Sequence, residues 1–276
     1  MLQSVSLCDE IVFELREDDR IVLTCDDRAI PVDETNLIVR AARGLSMQHG
    51  ADIRLAKKIP VKGGLGGGSS NAAVTLLALN RLWRLDRTER DLRQIGAQLG
   101  ADVPFFFSGG TAVATGIGTE LEAVADVAVQ HLIIITPNAS VSTATAYAAL
   151  NAPAFRSQNA PSLTTTNSLS ILSSSFTEPS FGDSNQWPLH NDFEGVIFER
   201  EPEIGRAKKA LLAAGARNAL LAGSGSSVFG IFDDRAARDQ ALDNLESNTG
   251  WRVFACHTLS RSEYLQSINR HSDTGA

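Results

Sequence analysis

Apolar and polar residues alternate in two short stretches near the start of the chain, and this period of two predicts strands at residues 6–15 and 20–24. The period then changes to that of a helix. Asn36 is a favourable N-cap residue, and apolar side chains recur at helical spacing after it as far as Leu45. A third strand is predicted at residues 53–55, so the first part of the chain mixes strands and helices.

The same two periods continue through the rest of the chain. They predict strands at residues 111–115, 131–136, 219–222, 228–232 and 253–258, and helices at residues 89–99, 202–214 and 235–246. Gly100 directly follows the first of these helices and predicts its C-terminal end. Residues 157–186 have neither period. Serine, threonine, asparagine and proline dominate them, which predicts a weakly ordered surface insertion.

Composition limits the classes of function. The chain of 276 residues is long enough for one large or two modest domains, and 43% of its residues are hydrophobic, as in ordinary soluble proteins. Its formal net charge of −7 argues against general binding of nucleic acid. The three cysteines have no metal-binding spacing and fit reduced thiols. No apolar run matches a membrane span or a leader, so we expect a cytoplasmic protein with no membrane partner.

The most informative motif lies at residues 59–73, which read IPVKGGLGGGSSNAA. Its five glycines allow consecutive backbone N–H groups to turn inward and form a nest for an anion. The apolar spacing of a helix follows at once, and a helix N-terminus adds unpaired N–H groups and a positive dipole end. The motif therefore predicts a site for a polyphosphate.

Two common phosphate-binding motifs do not fit this segment. A P-loop requires Gly-x-x-x-x-Gly-Lys, and Gly63 and Gly68 have the spacing, but Ser69 stands where the lysine belongs. The dinucleotide fingerprint Gly-x-Gly-x-x-Gly fails at the same position, because Ser69 replaces its third glycine. A flexible linker is the other alternative, and the helix that follows directly disfavours it.

The pattern Pro60-x-x-x-Gly64-Leu65-Gly66-x-x-Ser69-Ser70-x-Ala72-Ala73 resembles the ATP-binding loop of the GHMP kinases. Other stretches resemble the branch of that family that phosphorylates CDP-methylerythritol, a cytidine diphosphate sugar alcohol of the non-mevalonate isoprenoid pathway. They are residues 3–7, 36–42, 100–104, 142–147, 191–194 and 223–230. The resemblance covers nearly the whole chain outside the serine- and threonine-rich insertion.

The resemblance implies an α+β protein with the two-domain GHMP kinase fold. An N-terminal domain similar to ribosomal protein S5 is expected over residues 1–127, and a ferredoxin-like C-terminal domain over residues 128–276, with the active site in the cleft between them. ATP is the implied phosphate donor, and Mg²⁺ is the cation that usually accompanies it.

The implied nucleotide site is built mainly from the glycine loop. Residues 63–70 are expected to hold the β- and γ-phosphates, while Ser69 and Ser70 contact phosphate or metal, cap the helix, or do both. Positions near the base and ribose, and a second glycine loop on the far side, complete it. The nucleotide-binding residues expected from the resemblance are Asn36, Lys57, Pro60, Gly63, Gly64, Leu65, Gly66, Gly67, Gly68, Ser69, Ser70, Gly223, Ser224 and Gly225.

The resemblance assigns the catalytic aspartate to Asp102, which would accept or orient the proton of the substrate hydroxyl. Without the resemblance, an aspartate between a helix and a proline would be interpreted as a turn residue. Tyr147 matches an aromatic position that stacks on the cytosine, with Thr143 nearby. A place in the core is the alternative for Tyr147.

One part of the family pattern is not found in the sequence. The family opens with a strand close to Pro-Ala-Lys-Ile-Asn-Leu, whose lysine acts with the catalytic aspartate, and a Gly-Tyr-His turn that holds the cytosine. The chain is therefore expected to be N-terminally truncated relative to the family. Either a start codon was assigned too late, or the truncation is genuine. In the second case we expect nucleotide binding with little kinase activity.

Three functional hypotheses follow. The first is an ATP-dependent kinase acting on CDP-methylerythritol. The second is another GHMP kinase, such as a homoserine or mevalonate kinase, which the glycine richness, Asn71 and Tyr147 disfavour. The third is a catalytically silent nucleotide-binding protein.

Overall fold

The computed structural model describes residues 1–115, 120–139, 141, 146, 190–246 and 250–269. The described strands are β1 (Leu2–Gln3), β2 (Glu10–Arg16), β3 (Ile21–Cys25), β4 (Gly50–Ala56), β5 (Thr111–Thr115), β6 (Glu120–Ala123), β7 (His131–Pro137), β8 (Asn218–Leu221), β9 (Val228–Phe232) and β10 (Trp251–His257). The described helices are α1 (Leu37–Leu45), α2 (Gly67–Leu82), α3 (Glu89–Leu99), α4 (Phe193–Arg200), α5 (Pro202–Ala213), α6 (Arg235–Leu245) and α7 (Arg261–Ile268). A 3₁₀ helix spans Val103–Phe107. The presence of both helices and mainly antiparallel strands confirms the predicted α+β class.

The first half of the chain is a three-stranded sheet covered by α1, α2 and α3. β4 is its central strand and pairs antiparallel with β2 and parallel with β3, so that Phe13 and Leu23 both lie opposite Ile53. Apolar side chains on the inner faces form one buried core. Its fully buried members include Ile38, Ile53, Leu76, Leu79 and Leu92.

The second half is a four-stranded antiparallel sheet in the order β10-β7-β9-β8. One face packs against α4, α5 and α6, in a core that contains Ile133, Ile135, Ile204 and Leu211. The other face carries a second apolar cluster of Leu132, Ile134, Ile231 and Cys256. The strand β7 is apolar on both sides because both of its faces are buried.

The two halves are joined at several points. The Ser6 N–H donates to the His257 carbonyl at 2.9 Å, and the Leu259 N–H donates to the Ser4 carbonyl at 2.9 Å. β1 also pairs with β5 in a third, small sheet in the order β1-β5-β6. The ends of the described chain thus tie the sheet of the second half to elements of the first.

Local sequence signals located most of these elements. Asn36 caps α1, and α3 ends at Gly100 as predicted. The first predicted strand begins at Glu10 rather than residue 6, because residues 6–9 leave the sheet and contact β10 and the segment after β4. The helices α4 and α7, the strands β1 and β6 and the 3₁₀ helix were not predicted. The insertion at residues 157–186 lies outside the described residues.

Within the described part of the chain, no helix is both long enough and apolar enough to cross a membrane. All three cysteines are free, and burial raises the pKa of the Cys256 thiol to about 12.

Candidate active site

The glycine-rich segment borders a cleft of about 330 Å³. One part of the wall is apolar and comes from the loop before α1, from α1 itself, from β4 and from the start of the glycine-rich segment. The apolar side chains are Ile30, Pro31, Leu37, Leu55, Pro60 and Val61. The other part is the backbone of Gly63, Gly64, Gly66, Gly67 and Gly68, with Leu65 and Ser69. This apolar wall could receive a nucleotide base, and the backbone N–H groups beside it could receive the phosphates.

The loop before α2 turns through left-handed backbone conformations. Gly64 and Gly66 have φ angles of 75° and 67°, and Lys62 has a φ of 57°. A Cβ on Gly64 would lie 2.0 Å from the Ala222 carbonyl oxygen, so no larger residue fits there. Lys62 adopts this conformation without the freedom of glycine, and such strained residues cluster at functional sites.

The helix α2 begins at Gly67, inside the glycine run rather than after it. Gly66 is its N-cap in the left-handed conformation, and no side chain of the described residues caps the first turn. The N–H groups of this turn have no partner within the helix, and they carry the positive end of the helix dipole. Gly67, Gly68 and Ser69 also line the cleft, so this turn forms an anion site at its edge.

The two serines of the loop have different surroundings. Neither caps α2, because Gly66 occupies the N-cap and both serines lie within the helix. Ser69 lies beside the segment that precedes Asp102, since a Cβ on Gly100 would be 3.8 Å from the Ser69 Oγ. The Ser70 hydroxyl hydrogen-bonds to Tyr264 on α7, whose phenol donates to the Phe106 carbonyl at 2.7 Å.

Asp102 lies at the start of the 3₁₀ helix that follows α3. The residue as a whole is exposed to solvent, yet surrounding protein partly desolvates its carboxyl group and raises the pKa of that group. It makes no side-chain capping bond, and no ion pair to it occurs among the described residues. The carboxylate is therefore available to a substrate.

Asn36 and Lys57 both line the cleft, as the predicted nucleotide site requires. The Asn36 side chain accepts from the Ile38 N–H at 2.9 Å and donates to the Pro31 carbonyl at 2.7 Å. Lys57 directs its ammonium to the base of the loop, where it pairs with Asp9 at 2.9 Å and donates to the Ile59 carbonyl. Both side chains thus have structural partners in addition to facing the cleft.

The second glycine loop, between β8 and β9, packs directly on the first. The Ser227 N–H donates to the Gly63 carbonyl at 3.1 Å, and a Cβ on Gly225 would lie 2.1 Å from the Gly64 nitrogen. The Gly225 N–H donates to the Ala222 carbonyl at 3.1 Å. Two of the amides of this loop therefore have protein partners, and the loop braces the phosphate loop from behind.

Thr143 and Tyr147 lie outside the described residues. Sequence reasoning missed Asp9 and Tyr264, which contact the phosphate loop or its neighbours, and the apolar wall formed by Ile30, Pro31 and Val61. These residues are distant in sequence from the glycine run or lie in loops, so no periodicity pointed to them.

Two family models match the chain. The model of the GHMP kinases N terminal domain matches residues 36–110, and that of the GHMP kinases C terminal domain matches residues 178–250. A glycine loop at a helix N-terminus in an α+β fold suits the phosphate-binding site of a small-molecule kinase, and the two family models identify the class. The chain belongs to the GHMP kinases, and it is an ATP-dependent kinase.

Relatives within this family show a narrower similarity. The chain is 40% identical over 267 residues to the 4-diphosphocytidyl-2-C-methyl-D-erythritol kinase of Syntrophotalea carbinolica, with 94% of this chain and 89% of the relative covered. The kinase of the same name from Geobacter sulfurreducens is 38% identical over 266 residues, with the same coverage.

Solved structures support the fold. A crystal structure of 4-(cytidine 5'-diphospho)-2C-methyl-D-erythritol kinase matches with a TM-score of 0.70 and 30% identity, covering 92% of this chain and 87% of the other. A homoserine kinase from Cytophaga hutchinsonii matches with a TM-score of 0.65, 22% identity and the same coverage, which shows the fold alone.

Proposed function

We propose that this chain transfers the γ-phosphoryl group of ATP to the 2-hydroxyl of 4-diphosphocytidyl-2-C-methyl-D-erythritol. The observation that carries the proposal is an uncapped helix N-terminus with a glycine nest, packed beside the segment that leads into Asp102, whose carboxylate has no ion pair among the described residues. Relatives about 40% identical bear the name of this kinase, which supports the choice of acceptor. The cytoplasmic location inferred from the sequence stays a prediction.

The phosphate loop binds the donor. The N–H groups of the first turn of α2 hold the β- and γ-phosphates, and the apolar wall opposite receives the adenine. The hydroxyl of Ser69 donates to a phosphate oxygen. Asn36 and Lys57 lie near the ribose and base, and Gly223, Ser224 and Gly225 support the loop from the far side.

Asp102 orients the acceptor hydroxyl and accepts its proton. Phosphoryl transfer needs a positioned nucleophile and stabilised phosphate charge, with little covalent chemistry from the protein. The carboxylate of Asp102 accepts a hydrogen bond from the 2-hydroxyl, orients it towards the γ-phosphate, and takes its proton as the bond to phosphorus forms. Thr143 and Tyr147 are proposed to hold the cytosine end of the acceptor.

Mg²⁺ is the cation that we propose for this site. The described residues contain no group of three or more acidic, histidine or cysteine side chains that could hold a metal. Mg²⁺ usually relies on one or two carboxylates together with substrate phosphates and water. The Ser69 hydroxyl and the phosphate oxygens of ATP would hold the cation, which would neutralise phosphate charge.

A coupled kinase assay tests the proposal. The purified chain is supplied with ATP, Mg²⁺ and one acceptor at a time: CDP-methylerythritol, homoserine or mevalonate. We expect ADP formation with the first acceptor only, and its loss in Asp102→Asn. The matched control is Asp243→Asn, which changes an exposed carboxylate on α6 and should leave the rate unchanged.

Each other outcome rejects the proposal in a different way. Turnover of homoserine or mevalonate alone would assign a different GHMP kinase activity. ATP binding by calorimetry without turnover of any acceptor would favour the silent nucleotide-binding hypothesis. Normal turnover in Asp102→Asn would remove Asp102 from its proposed role.

A further inference from the structure

The Asp9 carboxylate, which lies just before β2, is almost completely enclosed. Its side chain is 1% exposed, and it accepts hydrogen bonds from four donors. The Lys58 and Ile59 N–H groups donate to Oδ1 at 2.8 Å each. On the other side, the Asn71 amide donates to Oδ2 at 2.8 Å, and the Lys57 ammonium contacts both oxygens, at 3.1 Å from Oδ1 and 2.9 Å from Oδ2.

These donors lie at the two ends of the phosphate loop. Lys57, Lys58 and Ile59 come directly before the loop at residues 60–70, and Asn71 comes directly after it. The residues at both ends of the glycine loop are therefore hydrogen-bonded to the same carboxylate. The Ile59 side chain also packs against the first turn of α2, since a Cβ on Gly67 would lie 2.9 Å from Ile59 Cγ2.

We propose that Asp9 is a positioning residue for ATP, and that its carboxylate fixes the separation and orientation of the two ends of the phosphate loop. This inference rests on the proposed function of the loop. Asp9 does not line the cleft, so it acts through the residues that it holds. Its charge is balanced by Lys57, which keeps it from repelling a bound phosphate.

A loop of this composition needs such an anchor. Glycines have the greatest conformational freedom in an unconstrained chain, so a free loop would lose much entropy on closing around phosphate. Tethering both ends to one buried group removes most of that loss before the ligand binds, which is preorganisation. A buried ion pair is weak evidence for stability by itself, and the two backbone donors point instead to a geometric role.

Asp9→Asn tests the inference. The asparagine keeps one acceptor oxygen, but its NH₂ group must face either the Asn71 amide or the two backbone N–H groups, and in both orientations it lies beside the Lys57 ammonium. We expect the Kd for ATP, measured by calorimetry, to rise at least about tenfold, as for other small displacements of a binding group. In the nucleotide-free protein, amide hydrogen exchange should accelerate at residues 61–70 and stay unchanged in β5.

The matched control is Asp26→Asn. The Asp26 carboxylate is exposed and accepts from the Lys57 N–H at 2.9 Å, so this variant removes one charge from the same segment and retains an acceptor oxygen. ATP affinity and loop exchange should be unchanged. Asp9→Glu keeps the charge but displaces the carboxylate by one methylene, and should also weaken ATP binding.

Several outcomes would overturn the inference. A lower Tm in Asp9→Asn with unchanged ATP affinity and loop exchange would limit Asp9 to stabilising the fold, as would failure of both Asp9 variants to fold. If only Asp9→Asn fails to fold, normal ATP binding by Asp9→Glu has the same meaning. A wild-type chain that binds no ATP would reject the proposed function instead, while loop exchange still tests the role of Asp9.

Discussion

Asp102 is a carboxylate in surroundings that oppose its charge. Desolvation raises its pKa, and no ion pair among the described residues compensates. The folded protein therefore favours the protonated form more than the unfolded chain does. The stability that this carboxyl contributes is complete below its unfolded pKa and is lost as the pH rises through the higher folded pKa. At neutral pH the charged carboxylate therefore lowers the free energy of unfolding. The proposed catalytic role of Asp102 explains why a charged group lies there.

Asp102→Asn should consequently stabilise the protein while it removes turnover. The neutral amide avoids the desolvation of a charge, so we expect a higher Tm than that of the wild type at pH 7. The difference should shrink below about pH 4, where Asp102 of the wild type is protonated in both the folded and the unfolded state. Thermal unfolding of the two proteins across this pH range measures it. A Tm at pH 7 that falls in the variant would contradict the assignment of an unpaired, desolvated carboxylate.

At the residue scale, the sequence predicted those site residues that belong to a local motif or to the pattern of the family. The glycine run and Asn36 have physical signatures in the chain itself, and Asp102 was found through the resemblance. Asp9 and Tyr264 have no such signature. Their roles arise because the fold brings residue 9 beside residues 57–59, and α7 beside the 3₁₀ helix.

At the scale of elements, the two glycine loops form one unit. Their backbones meet at Gly64 and Gly225, and the Ser227 N–H joins them by a hydrogen bond to Gly63. The sequence indicated two loops of similar composition, but not that one braces the other. Such contact is set by the tertiary fold, because β8 and β9 bring the second loop to the first. Helix ends were easier to predict, since Asn36 at the start of α1 and Gly100 at the end of α3 act locally.

Gly225→Ala tests this unit. The new Cβ would lie 2.1–2.4 Å from backbone atoms of Gly63 and Gly64, and backbone cannot rotate away as a side chain can. We expect the loops to separate and the KM for ATP to rise at least about tenfold. An unchanged KM would show that the phosphate loop keeps its shape without the second loop.

Gly195→Ala is the matched control for this substitution. Gly195 lies exposed in α4, and a Cβ there meets nothing within 4 Å. Because alanine is a better helix former than glycine, this variant should gain up to about 1 kcal/mol in its free energy of unfolding. Its KM for ATP should not change.

At the scale of the whole molecule, the phosphate loop also joins the two halves of the chain. The Leu65 side chain leaves the loop and packs against the cluster of Leu132, Ile134, Ile231 and Cys256 on the sheet of the second half. The resemblance predicted a cleft between two domains, and the structure adds that a residue of the loop itself anchors it to the second one. The exact boundary between domains near residue 127 stays a prediction.

Leu65→Ala should loosen this connection. Removing most of a partly buried leucine should lower the free energy of unfolding by about 2 kcal/mol, at the low end for leucine-to-alanine changes in cores. The KM for ATP should rise with it, because the loop loses its anchor. Chemical denaturation and steady-state kinetics measure the two effects. The control Leu212→Ala, at a leucine that is 44% exposed on α5, should change stability by no more than about 0.5 kcal/mol.

The central claim is that the glycine loop and the first turn of α2 hold the phosphates of ATP with the γ-phosphate facing Asp102. A crystal structure with a non-hydrolysable ATP analogue and Mg²⁺ tests it most directly. We expect phosphate oxygens within hydrogen-bonding distance of the N–H groups of Gly67, Gly68 and Ser69, and the adenine against Ile30 and Leu37. Phosphates bound elsewhere, or a γ-phosphate turned away from Asp102, would contradict it.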